Sequence, residues 1–320
     1  MSLGLHLVVL EVTGRCNLSC NYCYRSESAK LDLEDPSLLL GQLSEIRPHF
    51  ITVSGGEPLL LKNVFALAKE LKQVCKKLFL TTNGILVKEF PKSYFQVFDN
   101  VQISLDGDEK IHDSLRGEGS FEKVIDAAKY LTGIVPVSLL CTISQANYHQ
   151  IEAISQIARD VGALPTIGRM CGFGRGNPVP LQEPLFFKQV LEDAACYAVL
   201  NDDPLNFWFN EKKKSLSKQD KIMGGCTAGI AEFAISPEMD VFPCVKLRIS
   251  AGNLKDQSLK NIWQSSPLFA GLRNWNNLKG SCPRCEYVSI CRGCRADAWA
   301  RTGDYMAADP LCWVNDGDHR

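Results

Sequence analysis

The stretch LHLVVLEVTGRCNLSCNYC, residues 5–23, opens with a short run of Leu and Val and ends in three cysteines. Its first part, residues 5–12, has the length and apolar character of a buried strand. Cys16, Cys20 and Cys23 follow directly, spaced by three and two residues, so three thiols share one loop past the strand's end. That spacing lets three thiolates turn toward a common centre. Structural zinc asks for four closed ligands, and no histidine stands nearby at zinc-finger spacing. Three thiolates suit a four-iron cluster with one iron left open, the arrangement of a metal that performs chemistry.

Working outward, apolar runs alternate with helical patterns. Strands are expected at residues 50–53, 78–81, 101–105, 135–143 and 164–170. Helices are expected from Asp35-Pro36 to about residue 46, where Pro takes the first helical position, and over 60–75, 121–131, 151–161 and 185–200. Repeated strand-then-helix units imply a parallel sheet. Six units are too few for a closed eight-unit barrel, so the fold class is α/β, an open, partial (β/α)6 TIM-like barrel. Function in such folds gathers at the carboxyl ends of the strands. The pattern breaks near Asn201. A polar, Lys-rich segment leads to a cysteine-rich remainder, and the division is placed near 215, giving a core of residues 1–215 and an extension of 216–320.

Bulk composition narrows the class. The 320 residues are 45% hydrophobic and 22% charged with net charge −1, so no pull toward nucleic acid or membrane surfaces is expected. Lys212, Lys213 and Lys214 read as a solvated face. No run approaches the ~20 apolar residues that span a bilayer, and the first residues lack a secretory pattern. The chain is therefore expected in the cytoplasm. There, fourteen cysteines, three at 16–23 and seven from Cys226 onward, point to metal rather than disulfides.

The C-x3-C-x2-C triplet, with Tyr22 before its last cysteine, resembles the signature of the radical S-adenosylmethionine (SAM) superfamily. The resemblance implies a three-cysteine 4Fe-4S cluster whose open iron binds SAM. Reductive cleavage of SAM then gives a 5′-deoxyadenosyl radical that abstracts hydrogen from substrate. Further motifs fall where the family has them. Ser54-Gly55-Gly56-Glu57-Pro58 would hold the SAM amino group, through glycines that allow close approach and the Glu57 carboxylate. Ser104 and Arg116 would take the SAM carboxylate, which suits the planar fork of arginine. Asn83 and Asp106 would lie near the ribose, although Asn-Gly and Asp-Gly are also ordinary turn pairs. Gly174-Arg175-Gly176 would sit near the substrate pocket. His112 reads as a packing or capping residue rather than a general base.

Cys282-x2-Cys285-x5-Cys291-x2-Cys294 alone suggests a zinc module. Joined to Cys226, Pro243-Cys244 and Cys312 behind such a core, it resembles the SPASM extension, which carries up to two auxiliary 4Fe-4S clusters. The resemblance implies Cys282, Cys285, Cys291 and Cys312 on one cluster and Cys226, Cys244 and Cys294 on the other. The sequence departs from the family in having two residues, Arg292 and Gly293, between the last central pair, and Met239 where glycine is usual. Ligand pairing is thereby left open. The cluster with three evident ligands has either an open iron or another donor, with Glu232 as one candidate. Of the other cysteines, Cys75 and Cys196 are expected to pack on helices, and Cys141 to be a buried small side chain. Cys171 follows a strand near the expected pocket. Trp263, Trp299 and Trp313 read as core or interface.

The SPASM resemblance implies a peptide side chain as leading substrate, modified by crosslinking, oxidation or epimerisation. No separate peptide-binding domain is apparent ahead of Leu5. Small-molecule or tetrapyrrole side-chain modification is the alternative. Sulfatase-type maturation is disfavoured by Val245, where such maturases place aspartate. A non-catalytic iron–sulfur carrier would need neither Gly55-Gly56-Glu57 nor Arg116. An external one-electron reductant of flavodoxin or ferredoxin type is the implied partner, and no acid or base can be named as catalytic.

Overall fold

The computed structural model describes residues 7–25, 31–176, 183–197, 200–201, 203–209 and 225–316. The core alternates strands and helices: β1 (Leu7–Glu11), α1 (Ser37–Ile46), β2 (Phe50–Ser54), α2 (Val64–Val74), β3 (Lys77–Thr82), β4 (Asn100–Ser104), α3 (Glu109–Arg116), α4 (Ser120–Leu131), β5 (Val137–Ile143), α5 (Ile151–Val161), β6 (Leu164–Arg169), α6 (Pro184–Cys196) and the short β7 (Leu200–Asn201). Strands β1 to β7 pair in chain order and all in parallel, the open, partial barrel expected. Alternate strand residues turn to the helices, while Val9, Thr52, Phe79 and Gln102 between them stay half-buried. Val8, Leu10, Ile51, Val53, Leu78, Leu80, Val101 and Ile103 are accordingly fully buried, and α2 lays Val64, Leu67, Ala68 and Leu71 on the sheet. Phe65 gathers Phe90, Tyr94, Phe95 and Phe98 around it at ring-centroid distances of 5.1–6.3 Å.

Four local expectations change. The helix expected over 60–75 is split: Pro58–Leu60 forms a 3-10 turn, and α2 starts only at Val64. Helix α3 is an addition. Only Ile111 and Leu115 give it an apolar face, so hydrophobic spacing hid it, although Asp108 caps it through the Ile111 N–H at 3.0 Å. Cys196, expected to pack, is exposed. The extension also does not stand apart from the sheet. Its β8 (Glu232–Ile235) pairs in parallel with β1, Leu7 opposite Glu232 and Leu10 opposite Ile235. Then β9 (Asp240–Phe242) and β10 (Gly252–Asn253) add on antiparallel, making ten strands in one sheet. Three helices follow, α7 (Leu259–Ser265), α8 (Pro267–Arg273) and α9 (Arg295–Thr302). Trp263 is buried between Phe233 and Phe269, a core residue as expected. The expected boundary near 215 and the lysine run lie outside the described residues. Among those residues no helix is long and apolar enough to cross a membrane.

Candidate functional site

Because β1 to β6 are parallel, their carboxyl ends share one edge, and every motif of the core sits there. The loop after β1 is anchored before it reaches its cysteines. Arg15 forks Asp32 at 3.0 and 2.6 Å and donates to the Leu60 carbonyl at 3.1 Å, while the Thr13 hydroxyl donates to Asp32 at 2.6 Å. Gly55 and Gly56 press against the same loop. Gly56 N–H donates to Thr13 O and Glu57 N–H to Arg15 O, both at 2.8 Å. Gly55 lies at φ +141°, where a Cβ would stand 2.5 Å from the Thr13 oxygen; at Gly56 a Cβ would stand 2.5 Å from the Arg15 carbonyl carbon. The glycine pair therefore admits backbone, namely the stem of the cysteine loop, which refines the expectation that it admits a ligand. From the far side, Arg175 donates through Nε to Cys20 O at 2.7 Å and through its backbone N–H to Cys23 O at 2.9 Å. A Cβ on Gly174 would collide with the backbone of Cys23 and Tyr24. Gly174-Arg175-Gly176 is thus a latch on the loop.

Between these clamps Cys16 is exposed and Cys20 and Cys23 are half-buried. The three sulfurs lie within electrostatic range of one another. Burial raises the thiol pKa of Cys16 and of Cys20, and Arg116 opposes it at Cys20. Asn83 places its amide 3.9 Å from Cys16 Sγ and 2.7 Å from Asn17 Oδ1. Glu57 is fully buried and accepts from Leu59 N–H at 3.0 Å, the Thr82 hydroxyl at 2.8 Å and Asn83 N–H at 2.8 Å. Burial outweighs those bonds and lifts its pKa to about 7. Its carboxylate thus ties the ends of β2 and β3 together.

Asp106 is the centre of a second knot. Its carboxylate accepts from Tyr22 OH, from Arg116 Nε at 2.6 Å and Nη2 at 3.4 Å, and from Thr142 N–H at 3.1 Å. Its own N–H donates to His112 Nδ1 at 3.2 Å. With four donors on two oxygens, Asp106 is a buried hub of this strand edge. Tyr22 likewise faces Asp106, with the Arg116 guanidinium 5.5 Å from its ring centroid. Arg116 spends Nε and Nη2 on Asp106, and its Nη1 makes no hydrogen bond among the described residues. The Ser104 hydroxyl, half-buried at the end of β4, likewise makes none among the described residues. Burial lowers the His112 pKa to about 4, and its neutral Nδ1 serves Asp106 as acceptor.

The extension gathers its thiols in two places. Cys282, Cys285, Cys291 and Cys312 line one pocket, together with Tyr287, Arg292 and Asp309. Cys226 lies in electrostatic range of Cys294, and Cys244 of Cys226 and of Glu232. Donor sets made of thiols fit iron–sulfur ligation, for which four cysteines are the usual count. Core and extension are welded by Arg169 at the end of β6, buried among Asp203, Asp297 and Asp309. It reaches both Asp309 oxygens at 2.9 Å and Asp297 at 3.2 Å. Sequence reading passed over Arg15, Arg169 and Asp309. A cysteine just past a strand end was the one available signal for Cys171, whose surroundings are taken up below.

Comparison with known proteins bears on family and fold. Residues 10–157 match the radical SAM superfamily, and residues 226–295 match the SPASM iron–sulfur cluster-binding domain. The AdoMet-dependent heme synthase of Methanosarcina barkeri is 28% identical, covering 97% of this chain and 97% of that protein. The mycofactocin maturase MftC of Mycolicibacterium smegmatis is 27% identical over 94% of this chain and 81% of that one. In structure, Streptococcus suis SuiB bound to S-adenosylmethionine superposes with a TM-score of 0.78 at 18% identity, covering 97% of this chain and 77% of that chain. At that identity the likeness speaks for the fold.

Proposed function

The chain belongs to the radical SAM superfamily and carries a SPASM domain behind its core, and we propose that Cys16, Cys20 and Cys23 hold the SAM-binding 4Fe-4S cluster at the carboxyl edge of the barrel. When bound and reduced, that cluster supplies the electron that splits SAM into methionine and a 5′-deoxyadenosyl radical, which takes hydrogen from the substrate. The observation that carries the site reading is the convergence on one edge of the clamped cysteine loop, Glu57, Asn83, Ser104 and Arg116. The chain's own work is positioning. Gly55, Gly56 and Arg175 hold the loop from both sides, and Glu57 fixes Asn83 beside Cys16. Asp106, braced by Tyr22, aims Arg116. The Ser104 hydroxyl and Arg116 Nη1 remain for the SAM carboxylate. In the extension, Cys282, Cys285, Cys291 and Cys312 are assigned one auxiliary cluster, supported by their shared pocket, and Cys226, Cys244 and Cys294 the other. An external one-electron donor reduces the system.

For the substrate we favour a tetrapyrrole side chain, because the heme synthase relative matches this chain over 97% of both lengths. A peptide side chain, the leading expectation from sequence, is the second reading. It is supported by the mycofactocin maturase match and by the fold shared with SuiB, solved with its precursor peptide at a TM-score of 0.80.

The test is anaerobic reconstitution, reduction with dithionite and addition of SAM, with 5′-deoxyadenosine quantified by chromatography. The wild type is expected to release it. Replacing Cys16, Cys20 and Cys23 together by Ala should abolish release while iron stays bound in the extension. Continued release by the triple variant would show the triplet misassigned. Adding a carboxylated tetrapyrrole or, separately, a peptide pool sorts the substrate readings by which of them raises the yield.

A further inference from the structure

Strand β6 ends at Arg169, and two residues on stands Cys171, 3% exposed and distant in sequence from either cysteine set. Its thiol donates to Asp297 Oδ1 at 3.2 Å and is hydrogen-bonded to Cys294. The ligand atoms of Cys171, Cys294 and Asp297 all lie within 4.8 Å of one another. Cys294 is in range of Cys226, and Cys226 of Cys244. Cys171, Cys294, Cys226 and Cys244 thus form a run of neighbouring thiols, three from the extension and one from the barrel. A 4Fe-4S cluster normally takes four cysteine ligands, and the extension alone brings three to this place.

We propose that Cys171 is the fourth protein ligand of the auxiliary cluster held by Cys226, Cys244 and Cys294, which closes that cluster and ties it to the barrel. The inference rests on the preceding reading of the extension cysteines as cluster ligands. Two rival donors are less well placed. Asp297 already accepts from Arg169 Nη1 at 3.2 Å and Gly172 N–H at 3.4 Å, and its harder oxygen suits iron–sulfur ligation less than a thiolate does. Glu232 accepts from the Thr227 hydroxyl at 2.6 Å and stands beside Cys244, outside the close group of Cys171, Cys294 and Asp297. Lys246, whose Nζ donates to the Arg169 carbonyl at 2.9 Å, sets a positive charge near Cys171 and Cys244 that compensates an anionic four-thiolate site. As the iron–sulfur bond forms, the Cys171 proton leaves to solvent, and no oxidant or reductant is consumed. The consequence is functional: with no open iron, this cluster relays electrons and does not bind substrate.

The experiment uses the full chain carrying the Cys16, Cys20 and Cys23 to Ala replacements, so that only the extension reports. Iron and acid-labile sulfide are counted, and the electron paramagnetic resonance spectrum of the reduced protein is recorded before and after adding cyanide as an exogenous ligand. This parent is expected to hold about eight irons in two clusters, with a spectrum that cyanide leaves unmoved. Adding Cys171→Ala should either release about half of that iron or leave a cluster whose spectrum now shifts with cyanide. Glu232→Gln should change neither. The proposal is overturned if the parent's spectrum already shifts with cyanide, a result that needs no folded variant. It is also overturned if Cys171→Ala keeps all its iron and an unmoved spectrum, or if Cys171, Cys294 and Asp297 hold a lone zinc beside a single cluster. Absence of any labile sulfide in the parent would instead bring down the reading of the extension cysteines.

Discussion

Adding one methyl group at Gly56 tests whether the barrel edge holds the cysteine loop in register. A Cβ there would stand 2.5 Å from the Arg15 carbonyl carbon and 2.9 Å from the Gly14 oxygen, whereas real Cβ contacts essentially never fall under 3.0 Å. Both neighbours are backbone, so no flexible side chain can swing away. The loop must retreat, giving up the hydrogen bonds from Gly56 N–H to Thr13 O and from Glu57 N–H to Arg15 O. At about 1 kcal/mol net each, their loss costs roughly 2 kcal/mol. The functional cost is larger, because a displacement of roughly 1 Å in a positioned reaction lowers its rate about 100-fold. Gly56→Ala should therefore melt moderately earlier and cut 5′-deoxyadenosine release about 100-fold. Gly41→Ala is the internal comparison. Gly41 is exposed in α1 with nothing within 4 Å of its added Cβ, so the same methyl group should stabilise by about 1 kcal/mol through helix propensity alone. Calorimetry and the chromatographic assay read both variants. Release within two-fold of wild type in Gly56→Ala would refute the clamp.

Arg169→Met removes the guanidinium that bonds Asp203, Asp297 and Asp309, leaving buried carboxylates without their ion pairs. It should destabilise by about 4 kcal/mol in denaturant titration, and an unchanged midpoint would show the weld to be idle. His112 is neutral in the fold, with a pKa of about 4 against a reference of 6.5. Between those values the unfolded chain binds a proton that the folded chain does not. Stability therefore falls as pH drops from about 6.5 toward about 4, by roughly 3 kcal/mol from this group. Asn in its place keeps an acceptor for Asp106 N–H without titrating, and the slope of stability against pH over that window should flatten; equal slopes in the two proteins would clear His112 of the effect.

Much of the site was readable because its parts are local. A strand running into three cysteines needs only one continuous stretch, and the Gly55-Gly56-Glu57 and Asn83-Gly84 turns each end their own strand. Their meeting follows from parallel order, which places successive strand ends on one edge. What each side chain does there was less readable. Glu57 and Asp106 look like ligand-facing acids in sequence, and the fold adds donors to both from neighbouring strand ends and loops.

From the order of residues alone came the six strand–helix units, the three-cysteine loop and the cysteine-rich extension, since periodicity and spacing are properties of short windows, while the family came from the resemblance of its motifs. Folding in three dimensions decided that β8 joins β1, that Arg169 binds core to extension, and that Cys171 stands with Cys294. Those pairings bring together residues far apart in the chain. Burial and hydrogen-bond complementarity of the whole molecule select them, and no local pattern encodes which distant partner a buried charge or thiol will meet.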